Sequence, residues 1–341
     1  MYAGRSVGVV VTAYREADHV ADVIESVPSF VDRVYVVDDA SPDNCWSVIR
    51  ETASRLNQRH QRVSMTDGGE PRRVVPLRHQ RNRGYGAAVK TGYRRAVEDG
   101  IDVVAVMNGD GQMDPAILDR IIDPVAREEA AYAKGNRLLR SSDRAEMSQF
   151  RLLGNVALSV LTKFAAGYWR ISDPQNGYTA IATETIREID LSRLTDEYGF
   201  LNELLVALNV DDYRIADVAM TARYGDEQST IRYPRFIRRL SWLLLRNFWW
   251  RLKVTAVRDF NPAVAYYIVG GIGLVLSAVS ICVQLLRSGE RARPIGSMLL
   301  SLLALAMAID RDADESESLE IMQYDPPDDR TESVPTIEID H

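Results

Sequence analysis

Soft-metal and disulfide chemistry has little to work with in this chain, which carries two cysteines and four histidines in 341 residues. Cys45 and Cys282 lie in regions of opposite character, and His19, His60, His79 and His341 show no metal-ligand spacing. A disulfide framework and a zinc site are therefore both excluded. Lysine is also scarce, because 37 of the 41 basic residues are arginine. A GC-rich genome and a saline cytoplasm produce the same bias, and composition does not separate them. The N-terminus reaches a short apolar run within a few residues and has no secretory h-region, so the soluble part is expected to stay in the cytoplasm. A basic surplus is missing as well. At a net charge of -7, general nucleic-acid binding is not expected.

What is present changes character near residue 231. Residues 1–231 form a mildly acidic body, whereas 232–309 hold eleven bases against two acids and 310–341 hold twelve acids against two bases. This predicts a catalytic domain over 1–231, a basic interfacial helix over 232–260 and two hydrophobic membrane segments at 261–286 and 294–309. An acidic, disordered tail over 310–341 completes the expected organisation.

Within the body, apolar runs such as Val7–Val11, Val34–Val37 and Val103–Met107 end in polar loops. Strands are expected near 6–11, 33–38, 73–77 and 102–107, with helices near 16–27, 43–58, 86–98 and 115–127 between them. Continuous apolar strands suit a sheet covered on both faces, and their alternation with helices predicts a doubly wound, mostly parallel α/β sheet. In such a sheet, ligands bind beyond the strand C-terminal ends, where these loops would meet. Further helices are expected over 145–168 and 199–209, and a short strand over 213–222.

Between Arg232 and Arg258 the chain has eight basic residues, no acid, and Trp242, Trp249 and Trp250. At helical spacing Arg239, Arg246 and Lys253 form one stripe, with Phe236, Leu240, Leu243, Leu244 and Phe248 in another sector. Such a helix suits the headgroup layer of an anionic bilayer, the reading preferred over packing on the soluble domain. Pro262–Leu286 is uncharged and long enough to span, whereas Pro294–Ile309 is short for a span. A hairpin returning the chain to the cytoplasm is the expected topology, although Arg287, Arg291 and Arg293 in its connection mildly oppose it.

Three loops carry the candidate chemistry. Asp38 and Asp39 can accept hydrogen bonds from a nucleobase or ribose, or they serve as a turn beside Ser41 and Asp43. Arg83-Gly84-Tyr85-Gly86-Ala87-Ala88 opens a helix where backbone N–H groups can meet an anion, a weak signal on its own. Asn108-Gly109-Asp110-Gly111-Gln112 offers a carboxylate for a divalent cation, or forms a plain Asn-Gly turn.

Taken in order, these segments resemble the family 2 glycosyltransferases, in particular the polyprenyl-phosphate hexosyltransferase branch to which the dolichyl-phosphate mannosyltransferases belong. Thr12, Ala13, Tyr14 and Glu16 stand where that family has Pro-Ala-Tyr-Asn-Glu, and Asp38-Asp39 match its nucleoside-binding segment. Arg83, Gly84 and Gly86 match its glycine-rich helix start. Asn108, Gly109, Asp110 and Gln112 match its Asp-x-Asp motif, with Asn108 in place of the first aspartate. Lys134–Arg137 resembles a Gly-Ser-Arg strand whose arginine meets phosphate. Asp173, Asn176, Gly177 and Tyr178 resemble the acceptor loop. Arg223, Ser229 and Arg232 lie near an Arg…Gly-Glu-Ser-Lys segment, with a spacing one residue different.

The resemblance implies a GT-A fold and inverting transfer of a hexose from a UDP- or GDP-sugar to polyprenyl phosphate at the cytoplasmic face of a multi-pass cell-membrane protein. Asp110 would hold Mg2+ or Mn2+ at the leaving group. Asp173 would position the acceptor or act as a weak base, or simply cap the turn before Pro174. Glu203 is a second candidate acid, or a solvated helix position. The alternatives are a transferase that extends a lipid-linked saccharide and a non-catalytic scaffold of a glycan-assembly complex.

Overall fold

The computed structural model describes residues 1–67, 73–139, 149–220, 233–259, 261–286 and 293–324. Eight strands form one sheet in the order β3-β2-β1-β4-β6-β5-β7-β8. They are β1 (Val7–Ala13), β2 (Arg33–Asp38), β3 (Arg73–Arg78), β4 (Val103–Asn108), β5 (Tyr132–Asn136), β6 (Thr179–Ala182), β7 (Ile215–Ala219) and β8 (Glu320–Tyr324). Strands β1 to β4 pair in parallel, β6 runs antiparallel to both β4 and β5, and β7 and β8 continue in parallel beyond β5. The expected mostly parallel α/β sheet is therefore present, with β6 alone reversed.

That reversal matters for the site. The C-terminal ends of β1, β2, β4 and β5 share one edge, and because β6 is antiparallel its N-terminal end lies there too. The loop before Thr179 is thereby brought to the edge that carries residues 14, 39, 109–112 and 137.

Helices α1 (Val20–Ser26), α2 (Cys45–Asp67) and α4 (Leu118–Ala126) cover one face, while α3 (Tyr85–Glu98), α6 (Thr183–Glu188) and α7 (Phe200–Val210) cover the other. Alternate residues of β1 divide between the two cores: Val7, Val9 and Val11 join the first and Val10 joins the second. Helix α5 (Gln149–Ala166) and the basic helix α8 (Tyr233–Asp259) add to the second face, with Leu240 and Leu244 of α8 buried in it. The basic helix is thus amphipathic as expected, and its apolar stripe packs on the domain. Trp242 and Trp249 stay 69% and 53% exposed on its outer side.

Helices α9 (Pro262–Leu286) and α10 (Arg293–Ser316) pack antiparallel. Gly273 lies against Ser301, Ser277 Oγ is 2.9 Å from Ser297 Oγ, and a side chain at Gly270 would strike Leu305. Small residues let the two backbones approach closely. Outward, Ile272, Val275, Leu276, Leu299, Leu300 and Leu303 are exposed. Among the described residues one helix, Pro262–Val283, is long and apolar enough to cross a membrane.

Residues 310–324 of the expected tail differ from the sequence expectation, and residues 325–341 lie outside the described residues. Residues 310–316 complete α10, and 320–324 form β8 at the sheet edge beside β7. Composition misled because two of these acids, Asp312 and Glu320, are buried and answered inside the protein. Asp312 takes two hydrogen bonds from buried Arg251 at 2.7 and 2.8 Å, one from Tyr267 Oη at 2.9 Å and one from Trp169 Nε1 at 3.1 Å. Glu320 accepts the backbone N–H groups of Trp169, Arg170 and Ile171 at 2.9, 2.7 and 2.8 Å. Hydrogen bonds to a charged group contribute about 1.5–3 kcal/mol each, enough to order a strand that composition marks as tail.

Candidate active site

The loops converge as the topology requires, and the carboxylates are partnered in ways the sequence did not predict. Thr12 and Asn108 are register partners on β1 and β4, with Thr12 Oγ1 3.4 Å from Asn108 Oδ1. Gly109 N–H donates to Thr12 O at 2.8 Å, which locks the turn onto β1. Asp110 follows half-buried, and one of its oxygens accepts Gln112 N–H at 3.0 Å. Tyr14 is exposed with the Arg15 guanidinium 5.4 Å from its ring centre, while Glu16 O accepts the N–H groups of His19 and Val20 where α1 begins.

Asp39 directly follows β2 and binds inward. Its two oxygens accept Arg83 N–H at 2.9 Å and Gly84 N–H at 2.7 Å, and His79 Nδ1 lies 2.6 Å away. His79 Nε2 is 2.8 Å from Thr91 Oγ1. Asp38 is fully buried, accepts Ser41 N–H at 3.1 Å and pairs with Arg78, whose Nε lies 3.0 Å away without hydrogen-bond alignment. Asp39 therefore fixes the start of α3. His79 was not legible as a site residue, although as the first residue after β3 it stands on the site edge.

The glycines of that start make room for protein backbone. Gly84 has φ +100°, and a side chain there would come 2.5 Å from Asp196 O. At Gly86 it would come 2.6 Å from Thr195 O. The close neighbour is the segment 194–199, whose Asp196 O accepts Ala87 N–H at 3.1 Å. Buried Lys90 binds Leu194 O at 2.8 Å and pairs with Asp196. Burial raises the Asp196 carboxyl, but Lys90 and Arg83 outweigh it and hold it below its ordinary value.

The loop before β6 is clamped. Arg137 Nε and Nη2 each lie 2.7 Å from an oxygen of Asp173, which is 2% exposed and adopts φ +53°. Burial pushes this carboxyl up, yet the hydrogen bonds and charge of Arg137, with the charge of Lys134, leave it below its ordinary value. Arg137, expected beside phosphate, holds this loop. Asn176 and Tyr178 steady the same loop, with Tyr178 N–H on Asn176 Oδ1 at 3.0 Å and Tyr178 Oη on Asp114 O at 2.9 Å. Gly177 lies tight against the Asn108 side: a side chain on it would sit 2.8 Å from Tyr85 Oη and 3.4 Å from Asn108 Oδ1. Beneath the loop, register partners Lys134 and Asp217 form a buried ion pair at 2.7 Å. A lone acid inside the apolar strand of β7 was the available signal.

Glu203 is not a free acid. It is 3% exposed, and its oxygens accept Thr195 N–H at 2.5 Å, Arg246 Nη2 at 2.6 Å and Asn247 Nδ2 at 3.3 Å. Three donors on two oxygens suit a structural link better than proton transfer. Arg223, Ser229 and Arg232 lie outside the described residues. Among the described residues no group of three or more histidine, cysteine or acidic side chains gathers as a metal cage.

A profile of Glycosyl transferase family 2 matches residues 8–188. The chain is 24% identical over 225 residues to a UDP-N-acetylglucosamine–dolichyl-phosphate N-acetylglucosaminyltransferase of Methanococcus voltae, covering 66% of this chain and 88% of that one. It is 26% identical over 216 residues to the polyprenol monophosphomannose synthase of Mycolicibacterium smegmatis, covering 62% and 76%. Among solved structures, glucosyl-3-phosphoglycerate synthase from Mycobacterium tuberculosis, in complex with Mn2+, UDP and its product, superposes with a TM-score of 0.50 at 19% identity. That superposition covers 73% of this chain and 80% of the other, and it shows the shared GT-A-like fold.

Proposed function

Because the chain belongs to glycosyl transferase family 2 and is a glycosyltransferase, we propose that it moves a hexose from a nucleotide-sugar to polyprenyl phosphate at the cytoplasmic membrane face, inverting the anomeric carbon. One observation carries the lipid acceptor. An exposed apolar hairpin leaves the catalytic domain at α8 and returns into its own sheet as β8, so the domain is held against whatever the hairpin enters. Two relatives with dolichyl-phosphate or polyprenol in their names support the same acceptor class.

In this reading an oxygen of the lipid phosphate attacks the anomeric carbon while the bond to the nucleoside diphosphate breaks, its electron pair leaving with the diphosphate. A phosphate is already anionic near neutral pH, so alignment and charge stabilisation dominate. Asp173 fits that demand: its Arg137 clamp makes it a weak base but a firm positioner of the acceptor loop. This favours a phosphate acceptor over a sugar hydroxyl, which needs a stronger base.

The donor set suits a hard divalent cation bound mainly by substrate. Asp110 supplies a carboxylate and Asn108 an amide oxygen, and such ions are commonly held by one or two carboxylates plus phosphates and water. Mg2+ or Mn2+ held there would neutralise the departing diphosphate. Thr12, Ala13, Tyr14, Glu16, Asp38 and Asp39 border the side assigned to the nucleoside, and Gly109 and Gln112 shape the Asp110 turn. Arg223, Ser229 and Arg232 are assigned to the lipid phosphate.

The hairpin is assigned two membrane crossings. Its apolar parts reach about 33 Å over Pro262–Val283 and about 24 Å over Pro294–Ile309 at 1.5 Å per residue. Because α9 starts and β8 ends on the same domain, both ends stay on one side. The exposed tryptophans and arginines of α8 would lie in the headgroup layer.

Membranes containing the chain, incubated with polyprenyl phosphate and labelled UDP- and GDP-hexoses with and without Mg2+ or Mn2+, test the whole reading. Label in a mild-acid-labile monosaccharide lipid is expected. Transfer solely onto a preformed lipid-linked sugar would overturn the acceptor and make the chain an extending enzyme.

A further inference from the structure

Helix α8, on the outer side of the domain, and Asp39, at the end of β2, are joined by an unbroken set of polar contacts. Arg239 and Arg246 of α8 bind Glu197 and Glu203 at 2.8 and 2.6 Å, and Asn247 binds Glu203 at 3.3 Å. Glu203 in turn holds Thr195 N–H. The adjoining Asp196 caps Ala87 and pairs with Lys90, both on the first turns of α3. Immediately before that helix, the Arg83 and Gly84 N–H groups donate to Asp39. Leu243 of α8 also packs so close to Gly199 that no side chain fits between them. Residues 194–199 thus form a strap with α8 on one side and the α3 start on the other.

We propose that this strap sets the nucleotide-binding edge according to how α8 is seated, with Glu203 as the positioning residue that joins the two. The inference rests on the reading above, in which Asp38 and Asp39 border the side assigned to the nucleoside and α8 lies on the membrane. Arg239 and Arg246 are 72% and 58% exposed at their side chains, so each can meet lipid phosphates while still reaching its carboxylate. A basic helix fixed against an anionic surface fixes the strap, and the strap holds the N–H groups that orient Asp39. In detergent, α8 loses that support and the edge loosens. The sequence places a helix over 199–209 and leaves the strap unread, and its role depends on a long-range partner, Arg246, forty-three residues beyond Glu203.

The test compares the full chain in neutral detergent and in vesicles containing about one third anionic lipid. UDP and GDP binding are measured by calorimetry, alongside steady-state turnover with the preferred donor. For the unsubstituted chain, nucleotide affinity is expected to rise about threefold to tenfold in vesicles. Glu203→Ala should abolish that gain, raising the donor KM in vesicles while kcat at saturating donor stays within about twofold. Arg246→Met severs the same link from the exposed side and leaves the core intact, so it should reproduce the loss even if Glu203→Ala folds poorly. Co-sedimentation checks that both variants remain on vesicles through the hairpin. A vesicle-dependent gain that survives in Arg246→Met, or a loss carried by kcat alone, overturns the linkage and leaves the donor site standing. Failure of the unsubstituted chain to bind either nucleotide would overturn the donor reading and the linkage together.

Discussion

Arg137 and Asp173 meet as two parallel forks, with both carboxylate oxygens 2.7 Å from separate guanidinium nitrogens. The pair holds the loop before β6 against the end of β5, and it fixes a residue at positive φ. Asp173→Asn is expected to cost about 3 kcal/mol in denaturant unfolding, since it leaves a largely buried guanidinium without its counter-charge. Transfer activity should fall about 100-fold through misplacement of the acceptor loop.

The same pair has a signature in pH. The folded carboxyl titrates below its ordinary value, so its stabilisation is complete above the ordinary aspartate range. It is lost as the pH falls through the depressed value. Thermal unfolding followed from pH 5 down to pH 2 should therefore show a steeper acid loss in the unsubstituted chain than in Asp173→Asn. Parallel curves would remove Arg137 as the stabilising partner.

At the β4 turn, Asp110→Ala should lower turnover at least 100-fold by removing the carboxylate assigned to the leaving-group side. Asn108→Asp should act in the other direction on metal dependence. A second carboxylate beside Asp110 is expected to lower the Mg2+ or Mn2+ concentration giving half-maximal rate. Full activity in Asp110→Ala would discard the assignment.

Tyr85 Oη is buried with no hydrogen-bond partner among the described residues. Burial raises the phenol well above its ordinary value, so it stays protonated. An unmatched buried hydroxyl costs about 1–3 kcal/mol, and Tyr85→Phe should therefore unfold at an equal or higher denaturant concentration. A clear loss of stability would show that the hydroxyl has a partner.

Buried Arg251 and Asp312 join α8 to α10. Removing one charge alone, as in Arg251→Met, should cost about 3–5 kcal/mol and expose the base of the hairpin to limited proteolysis. Replacing both, with Arg251→Met and Asp312→Leu, should recover much of that loss. Equal protease sensitivity in the single and double variants would assign the damage to packing instead.

For the hairpin itself, cysteines introduced one at a time by Ser288→Cys and Ser318→Cys in a Cys282→Ser background, where the remaining Cys45 is buried, give a direct test. A membrane-impermeant thiol reagent is expected to reach them from opposite sides of sealed vesicles. Labelling of both from one side would mean that the hairpin dips into the bilayer and does not cross it.

Much of the sheet was legible because its strands announce themselves as continuous apolar runs. Residues 33–38 match β2 end for end, and the loop after β4 falls where expected. Strand β6 was missed: Thr179–Ala182 is four residues long and has no run of its own to display. The candidate residues in the loops after β1, β2, β4 and β5 and before β6 were legible as positions, since topology gathers them at one edge, but their partners were not. Nothing local tells Asp39 to face Gly84, Glu203 to face Arg246, or Asp173 to face Arg137. These choices depend on contacts thirty-six to forty-five residues apart in the chain. The acidic end was misread for the same reason, because its charges are answered by Arg251 and by the backbone of residues 169–171.

The placement of β8 also imposes an order on biosynthesis. The chain emerges from its N-terminus, so seven strands of the sheet are made before the hairpin and the eighth after it. Until residues 320–324 are released, β7 remains an open edge. The last piece of the catalytic sheet can dock only after the hairpin has been made, so under the proposed membrane reading insertion becomes a step in finishing the enzyme. Shortened forms that stop before the hairpin would lack their anchor and would also present β7 as a sticky edge, prone to pair with other chains.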